Sequence, residues 1–84
     1  MPEYWFRKLA YPVVPLSGPL RPTRTLAEAR KTLLERLPAE CQSRSWWQRA
    51  TALLLAAGTS GRRNDIRDAT DQLMRALDRE GWLR

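Results

Sequence analysis

The sequence predicts an α+β fold that is mostly helical, with a ragged N-terminal β-hairpin followed by a three-helix bundle (ββααα). Three observations indicate this fold. Apolar residues recur at helical spacing in three segments, capping residues stand where these segments begin, and prolines interrupt the stretch before them. A length of 84 residues allows one domain. We expect an aromatic-basic leader over residues 1–10 and a single hairpin-plus-helices domain over residues 11–84.

The hairpin is predicted over residues 11–24, where prolines disfavour helix and confine strands to edge-like pairing. The dipeptide Ser17-Gly18 is typical of a turn between two extended arms. Leu16, Leu20 and one of the neighbouring valines are then expected to reach the core. Extended polyproline-like structure would suit the same residues.

The first helix has the clearest start and end. Thr25 is followed three residues later by Glu28, which is the spacing of a capping box, and Pro38 ends the helix. Residues 38–45 read as a polar loop. The predicted buried face of this helix is Leu26, Ala29, Leu33, Leu34 and Leu37.

The second helix is predicted over residues 46–57, with a capping box of Ser45 and Gln48 before it and Gly58 ending it. Trp47 and Leu55 fall outside its main apolar stripe, so the helix is apolar over a wide arc. Such a helix has neighbours on more than one side. The main stripe is Trp46, Ala50, Leu53, Leu54 and Ala57.

The third helix is expected to begin at an Asn64 cap and to end at Gly81 in a left-handed conformation. Trp82 should then fold back onto Leu77. Its predicted buried face is Ile66, Ala69, Leu73, Ala76 and Leu77.

The composition argues against an enzyme. The chain has no histidine, the usual proton-transfer residue near neutral pH and the commonest metal ligand. Its one cysteine, Cys41, therefore has no histidine base to form a nucleophilic pair. We expect no catalytic residue, no metal site and no cofactor.

The charge favours an anionic partner. The net charge is +6, and 13 of the 15 basic residues are arginines, although a GC-rich genome would raise arginine without functional cause. No acid lies between Glu40 and Asp65. The basic residues of that span are the candidate contacts for an anion or a nucleic acid, namely Arg44, Arg49, Arg62 and Arg63.

Tryptophan is abundant, with four residues in the chain. Trp5 and Trp47 are hard to bury at their predicted positions, and tryptophan and arginine are enriched at interface hot spots. Trp5, Phe6, Arg7 and Trp47 are therefore the candidate partner-binding residues. In the alternative, the leader folds back, and Trp5 or Phe6 closes the core.

The compartment follows from cysteine usage and hydropathy. A single cysteine cannot form an internal disulfide, which suits a reducing compartment. The N-terminal residues lack the apolar region of a secretory signal, and the longest apolar stretch, residues 50–57, is too short to span a bilayer. A cytoplasmic location without a transmembrane segment is expected.

The order of motifs suggests a family. Pro12-Val13 precedes a glycine turn, Thr25 leads into Glu28-Ala29, Leu37-Pro38 ends a helix, and the alanine-rich residues 50–58 follow. The layout, which continues through residues 66–69 and covers roughly residues 5–83, resembles the short bacterial proteins known as domain of unknown function 982. Leu37 stands where that family often has tryptophan, and the loop after the second helix is longer and more basic. The resemblance implies the hairpin-plus-helices fold and no catalytic residue.

Two functions are compatible with these features. The first is a small non-enzymatic protein-interaction module, acting as a homodimer or as an accessory subunit of a larger assembly. Its basis is the small core, the surplus of tryptophan and the wide apolar arc of the second helix. The alternative is a nucleic-acid-binding domain with an arginine-rich surface, although the acids of the third helix disfavour its use as a DNA recognition helix.

Overall fold

A computed structural model describes residues 3–84, so Met1 and Pro2 of the expected leader lie outside the described residues. The elements are β1 (Lys8–Val13), β2 (Thr23–Thr25), α1 (Leu26–Arg36), α2 (Ala39–Gln42), α3 (Ser45–Ser60) and α4 (Arg63–Glu80). The expected mostly helical α+β class, with an N-terminal antiparallel strand pair, is confirmed. The one-turn helix α2 lies where only a loop was expected.

The two strands pair antiparallel, with Lys8 opposite Thr25 and Val13 opposite Thr23. Five residue steps in β1 lie opposite two in β2, so β1 contains a bulge. Strand β1 begins at Lys8, within the residues expected to form the leader. Val13 and Leu20 are buried as expected. The same expectation for Leu16 is wrong, because its side chain is 70% exposed.

Backbone hydrogen bonds to the C-terminal residues hold Leu16 in its position. The N–H groups of Leu16 and Ser17 donate to the Trp82 carbonyl oxygen at 2.8 and 3.1 Å. These bonds hold the connection between the strands against the end of the chain. The two strands are therefore joined by a long loop, residues 14–22, and not by a tight hairpin turn.

The leader packs against the helices. The N–H groups of Leu26 and Ala27 donate to the carbonyl oxygens of Arg7 and Trp5, at 3.0 and 2.9 Å. The first N–H groups of a helix have no intrahelical acceptor, so the leader satisfies two of them at the start of α1. Trp5 is half-buried, which agrees with the alternative in which the leader folds back, whereas Phe6 stays 72% exposed.

The capping box of α1 is confirmed. Thr25 Oγ1 accepts from the Glu28 N–H at 3.1 Å, and Glu28 Oε1 accepts from the Thr25 N–H at 3.2 Å. Leu26, Ala29 and Leu33 are buried. Leu34 was expected on the same face but is 71% exposed, because it lies at the edge of the buried arc, beside a groove between α1 and α3.

Helix α3 differs from the prediction at both ends. It begins after Arg44 without a side-chain cap, so the expected capping box of Ser45 and Gln48 does not form. It continues through Gly58 and ends at Gly61, whose φ of 64° is left-handed. Gly58 has another role, because a Cβ built on it would lie 2.3 Å from Trp5 Cζ2. The glycine lets the tryptophan ring lie directly on the helix backbone.

Helix α4 packs extensively on α3, and its predicted buried face is confirmed. It begins one residue before Asn64, with Arg62 in the N-cap position, so the Asn64 cap is wrong. Gly81 ends the helix with a φ of 78°. The Trp82 N–H then donates to the Leu77 carbonyl oxygen at 2.9 Å, as a left-handed cap requires.

Within residues 3–84, no helix is both long enough and apolar enough to cross a membrane.

Candidate functional site

A buried carboxylate joins the two longest helices. Glu80, the last residue of α4, has a side chain that is only 7% exposed. Its carboxylate oxygens accept hydrogen bonds from Trp46 Nε1 at 3.1 Å and Trp47 Nε1 at 2.9 Å, and the Arg44 guanidinium forms an ion pair with it. We call these four residues the Glu80 network. It fixes the start of α3 against the end of α4.

The Glu80 network explains an error in the prediction for α3. Trp47 was expected to be hard to bury, but it is 1% exposed, whereas Trp46 is half-buried. The Trp47 indole N–H reaches Glu80, and its ring lies 5.8 Å from the Trp82 ring, centroid to centroid. A buried acceptor and an aromatic partner therefore draw Trp47 inward, which the apolar stripe of α3 alone did not predict.

The surroundings of Glu80 and Cys41 change the pKa values of both groups. Burial alone would raise the pKa of Glu80, but hydrogen bonds from Trp47, Arg44 and Trp46 outweigh it and lower the pKa. Burial and the nearby Glu80 charge raise the pKa of the Cys41 thiol, against a smaller opposite effect of Arg44. Cys41 is buried and free, so it is not an activated thiolate.

The lowered pKa of Glu80 predicts acid sensitivity with a definite sign. A carboxyl group with a depressed folded-state pKa stabilises the fold above its ordinary pKa of 4.5, and this contribution is lost as the pH falls. We expect the urea midpoint to fall between pH of about 6 and about 3, and to fall less in Glu80→Gln. Equal slopes for both proteins would contradict the role of this carboxylate.

The four arginines predicted to contact an anion do not form one surface. Arg44 is paired with Glu80 at one end of α3, and Arg62 and Arg63 lie beyond the other end, about 24 Å away for a helix of this length. Arg49 lies on the exposed side of α3. These arginines are near one another in sequence but not in space, because the length of α3 separates Arg44 from Arg62 and Arg63.

An apolar groove of about 630 Å³ runs between α1 and α3. Leu34 on α1 and Leu55 on α3, 71% and 48% exposed, form its rims. Trp5 closes one side, and the Arg30 guanidinium lies 4.8 Å from the centre of its ring. The lining is Trp5, Arg30, Leu33, Leu34, Leu37, Gln42, Trp47, Gln48, Thr51, Ala52, Leu54 and Leu55.

The predicted partner-binding residues separate into two places. Trp5 and Trp47 line the groove, although Trp47 is buried rather than exposed. Phe6 is exposed, and Arg7 lines a different cleft, between β1 and α4. Arg30, Leu34 and Leu55, which also line the groove, were not among the predicted partner-binding residues. The adjacent pair Leu33-Leu34 was a usable signal, because neighbouring residues on a helix point about 100° apart.

Among residues 3–84, no three potential metal-binding side chains come together. Comparison with known proteins gives no match to a family model, a curated protein or a solved structure. The resemblance to domain of unknown function 982 stays an expectation, and the proposed function does not depend on it.

Proposed function

We propose that this chain is a non-enzymatic protein-interaction module, and that the α1–α3 groove receives an apolar, acid-flanked helical segment of another protein. The observation that carries the proposal is the pair of exposed leucines, Leu34 and Leu55, on the two rims of an apolar groove. An amphipathic helix binds such a groove through apolar residues spaced three, four and seven positions apart.

The charges favour a foreign partner over a second copy. Arg30 is the charged residue among the described residues that line the groove, and the whole chain carries +6. Two such chains repel each other, whereas an acidic partner is attracted and gains on-rate. A homodimer through this groove is the competing arrangement.

The walls of the groove are held in place before binding. Trp47 in the floor is fixed by Glu80, and Trp5 is fixed by the packing of its ring on Gly58. A preformed site loses less conformational entropy when a ligand binds. A reducing, cytoplasmic location is part of the proposal, since Cys41 is a buried free thiol.

The test is selection from a displayed library of helical peptides with fixed leucines at amphipathic spacing and all other positions varied. We expect the selected peptides to be rich in acidic residues. The Leu34→Ser/Leu55→Ser protein should bind them at least about tenfold more weakly, because loss of a central apolar contact costs about 1 to 3 kcal/mol.

The control is Leu16→Ser, which removes an equally exposed leucine outside the groove. It should bind the selected peptides as the parent does. Peptides that are not acidic, or that bind the double variant equally well, would contradict the proposal. Sedimentation showing a dimer that the double variant dissociates would assign the groove to a second copy instead.

A further inference from the structure

A second cleft, of about 720 Å³, lies between β1 and the first half of α4. Four basic residues line it: Arg7 and Lys8 from the leader and β1, and Arg63 and Arg67 from α4. Only Arg63 belongs to the arginine set selected from the sequence. The fold therefore collects cations that are more than 50 residues apart in the chain. We call this surface the β1–α4 cleft.

The β1–α4 cleft keeps an excess of positive charge, because four cations and one carboxylate, that of Asp71, line it. Within residues 3–84, the ion pair present is that of Arg44 with Glu80, so none of the four cleft cations has a carboxylate partner within 4 Å. The acid that lines the cleft, Asp71, accepts a hydrogen bond from Tyr11 Oη at 2.6 Å. The carboxylate of Asp65, in the first turn of α4, accepts a hydrogen bond from the Ser60 hydroxyl.

Aromatic rings lie in the cleft, at Tyr11, and beside Arg7 at its edge, at Tyr4 and Phe6. Tyr11 lines the cleft and is 38% exposed, and Phe6, which directly precedes Arg7, is 72% exposed. The Phe6 ring lies 6.4 Å from the Tyr4 ring, and the Arg7 guanidinium lies 5.4 Å from the centre of the Tyr4 ring. Burial and the hydrogen bond to Asp71 raise the pKa of Tyr11 to about 12.

We infer that the β1–α4 cleft binds single-stranded nucleic acid, with backbone phosphates on its four cations and an unstacked base on Phe6. Proteins that bind single strands combine a basic groove with aromatic faces on which bases stack. A duplex keeps its bases stacked on each other and would leave the exposed ring unused. The site is separate from the α1–α3 groove, so the inference goes beyond the proposed function.

The test measures binding of the full chain to a labelled oligothymidylate of about twelve nucleotides by fluorescence anisotropy over a salt series. We expect Arg63→Gln/Arg67→Gln to weaken binding at least about tenfold. The slope of log K against log salt should become shallower by about 1.4, that is, about 0.7 for each lost phosphate contact.

The matched control is Arg21→Gln/Arg36→Gln, which removes the same charge from a separate depression beside α1. It should keep most of the affinity. Phe6→Ala should weaken binding about fivefold or more with an unchanged salt slope, because stacking releases no counterions.

Several results would overturn the inference: no binding at low salt, a salt-independent affinity, or equal losses in the two double variants. Tighter binding to a duplex of the same length, or to vesicles of phosphatidylcholine and phosphatidylserine in equal parts, would assign the cleft to another polyanion. Leu34→Ser/Leu55→Ser should bind the oligonucleotide normally, so this inference and the proposed function can fail independently.

Discussion

Replacing Glu80 by alanine is expected to lower the free energy of unfolding by about 2 to 3 kcal/mol, a large part of the roughly 5 kcal/mol expected for so small a domain. The substitution leaves two indole N–H groups, those of Trp46 and Trp47, and the Arg44 guanidinium without their acceptor. Arg44 is partly exposed and can turn toward water, but Trp47 is fully buried. Urea denaturation followed by circular dichroism measures the change.

The graded control for this prediction is Glu80→Gln, which keeps the volume and one acceptor oxygen. It should cost about 1 to 2 kcal/mol, less than the alanine variant. Cys41 provides an independent readout, because the thiol is buried near Glu80 and should become accessible to alkylation as the network loosens. A loss below about 0.5 kcal/mol in Glu80→Ala would show that the network does not hold the two helices together.

Gly58→Ala is expected to destabilise the protein by about 1 to 2 kcal/mol, although alanine is the better helix former. The added Cβ would lie 2.3 Å from Trp5 Cζ2, so the indole ring must move away from the α3 backbone. The leader should then detach, and trypsin should cut faster after Arg7 and Lys8. Thermal unfolding and limited proteolysis measure the two effects.

A double-mutant cycle gives the decisive control. In a Trp5→Ala background the clash is absent, so Gly58→Ala should stabilise by up to about 1 kcal/mol, through helix propensity alone. Gly81→Ala serves as the matched glycine, because its Cβ would meet no atom within 4 Å and its cost comes from its positive φ. That cost should be the same with and without Trp5. An unchanged sign for Gly58→Ala in the two backgrounds would contradict the close packing.

Local signals in the sequence predicted the fold class and most helix positions. Thr25 with Glu28 marked the start of α1, and Gly81 marked the end of α4, because capping depends on residues within one turn. The periodic apolar residues of α4 predicted its buried face. These signals are local, so a single sequence contains them.

Which residues face solvent, and which distant residues come together, depended on packing between the helices and strands. Helical spacing predicts which side of a helix is buried. The apolar faces of α1 and α3 are wide, so this spacing did not show that Leu33 is buried and Leu34 exposed, or that Trp47 is more deeply buried than Trp46. That choice depended on the groove beside α1 and on Glu80, 33 residues after Trp47. Likewise Lys8 and Arg67 line one cleft only because β1 packs on α4. Contacts between distant segments leave no local pattern, so both candidate surfaces became visible only in the folded chain.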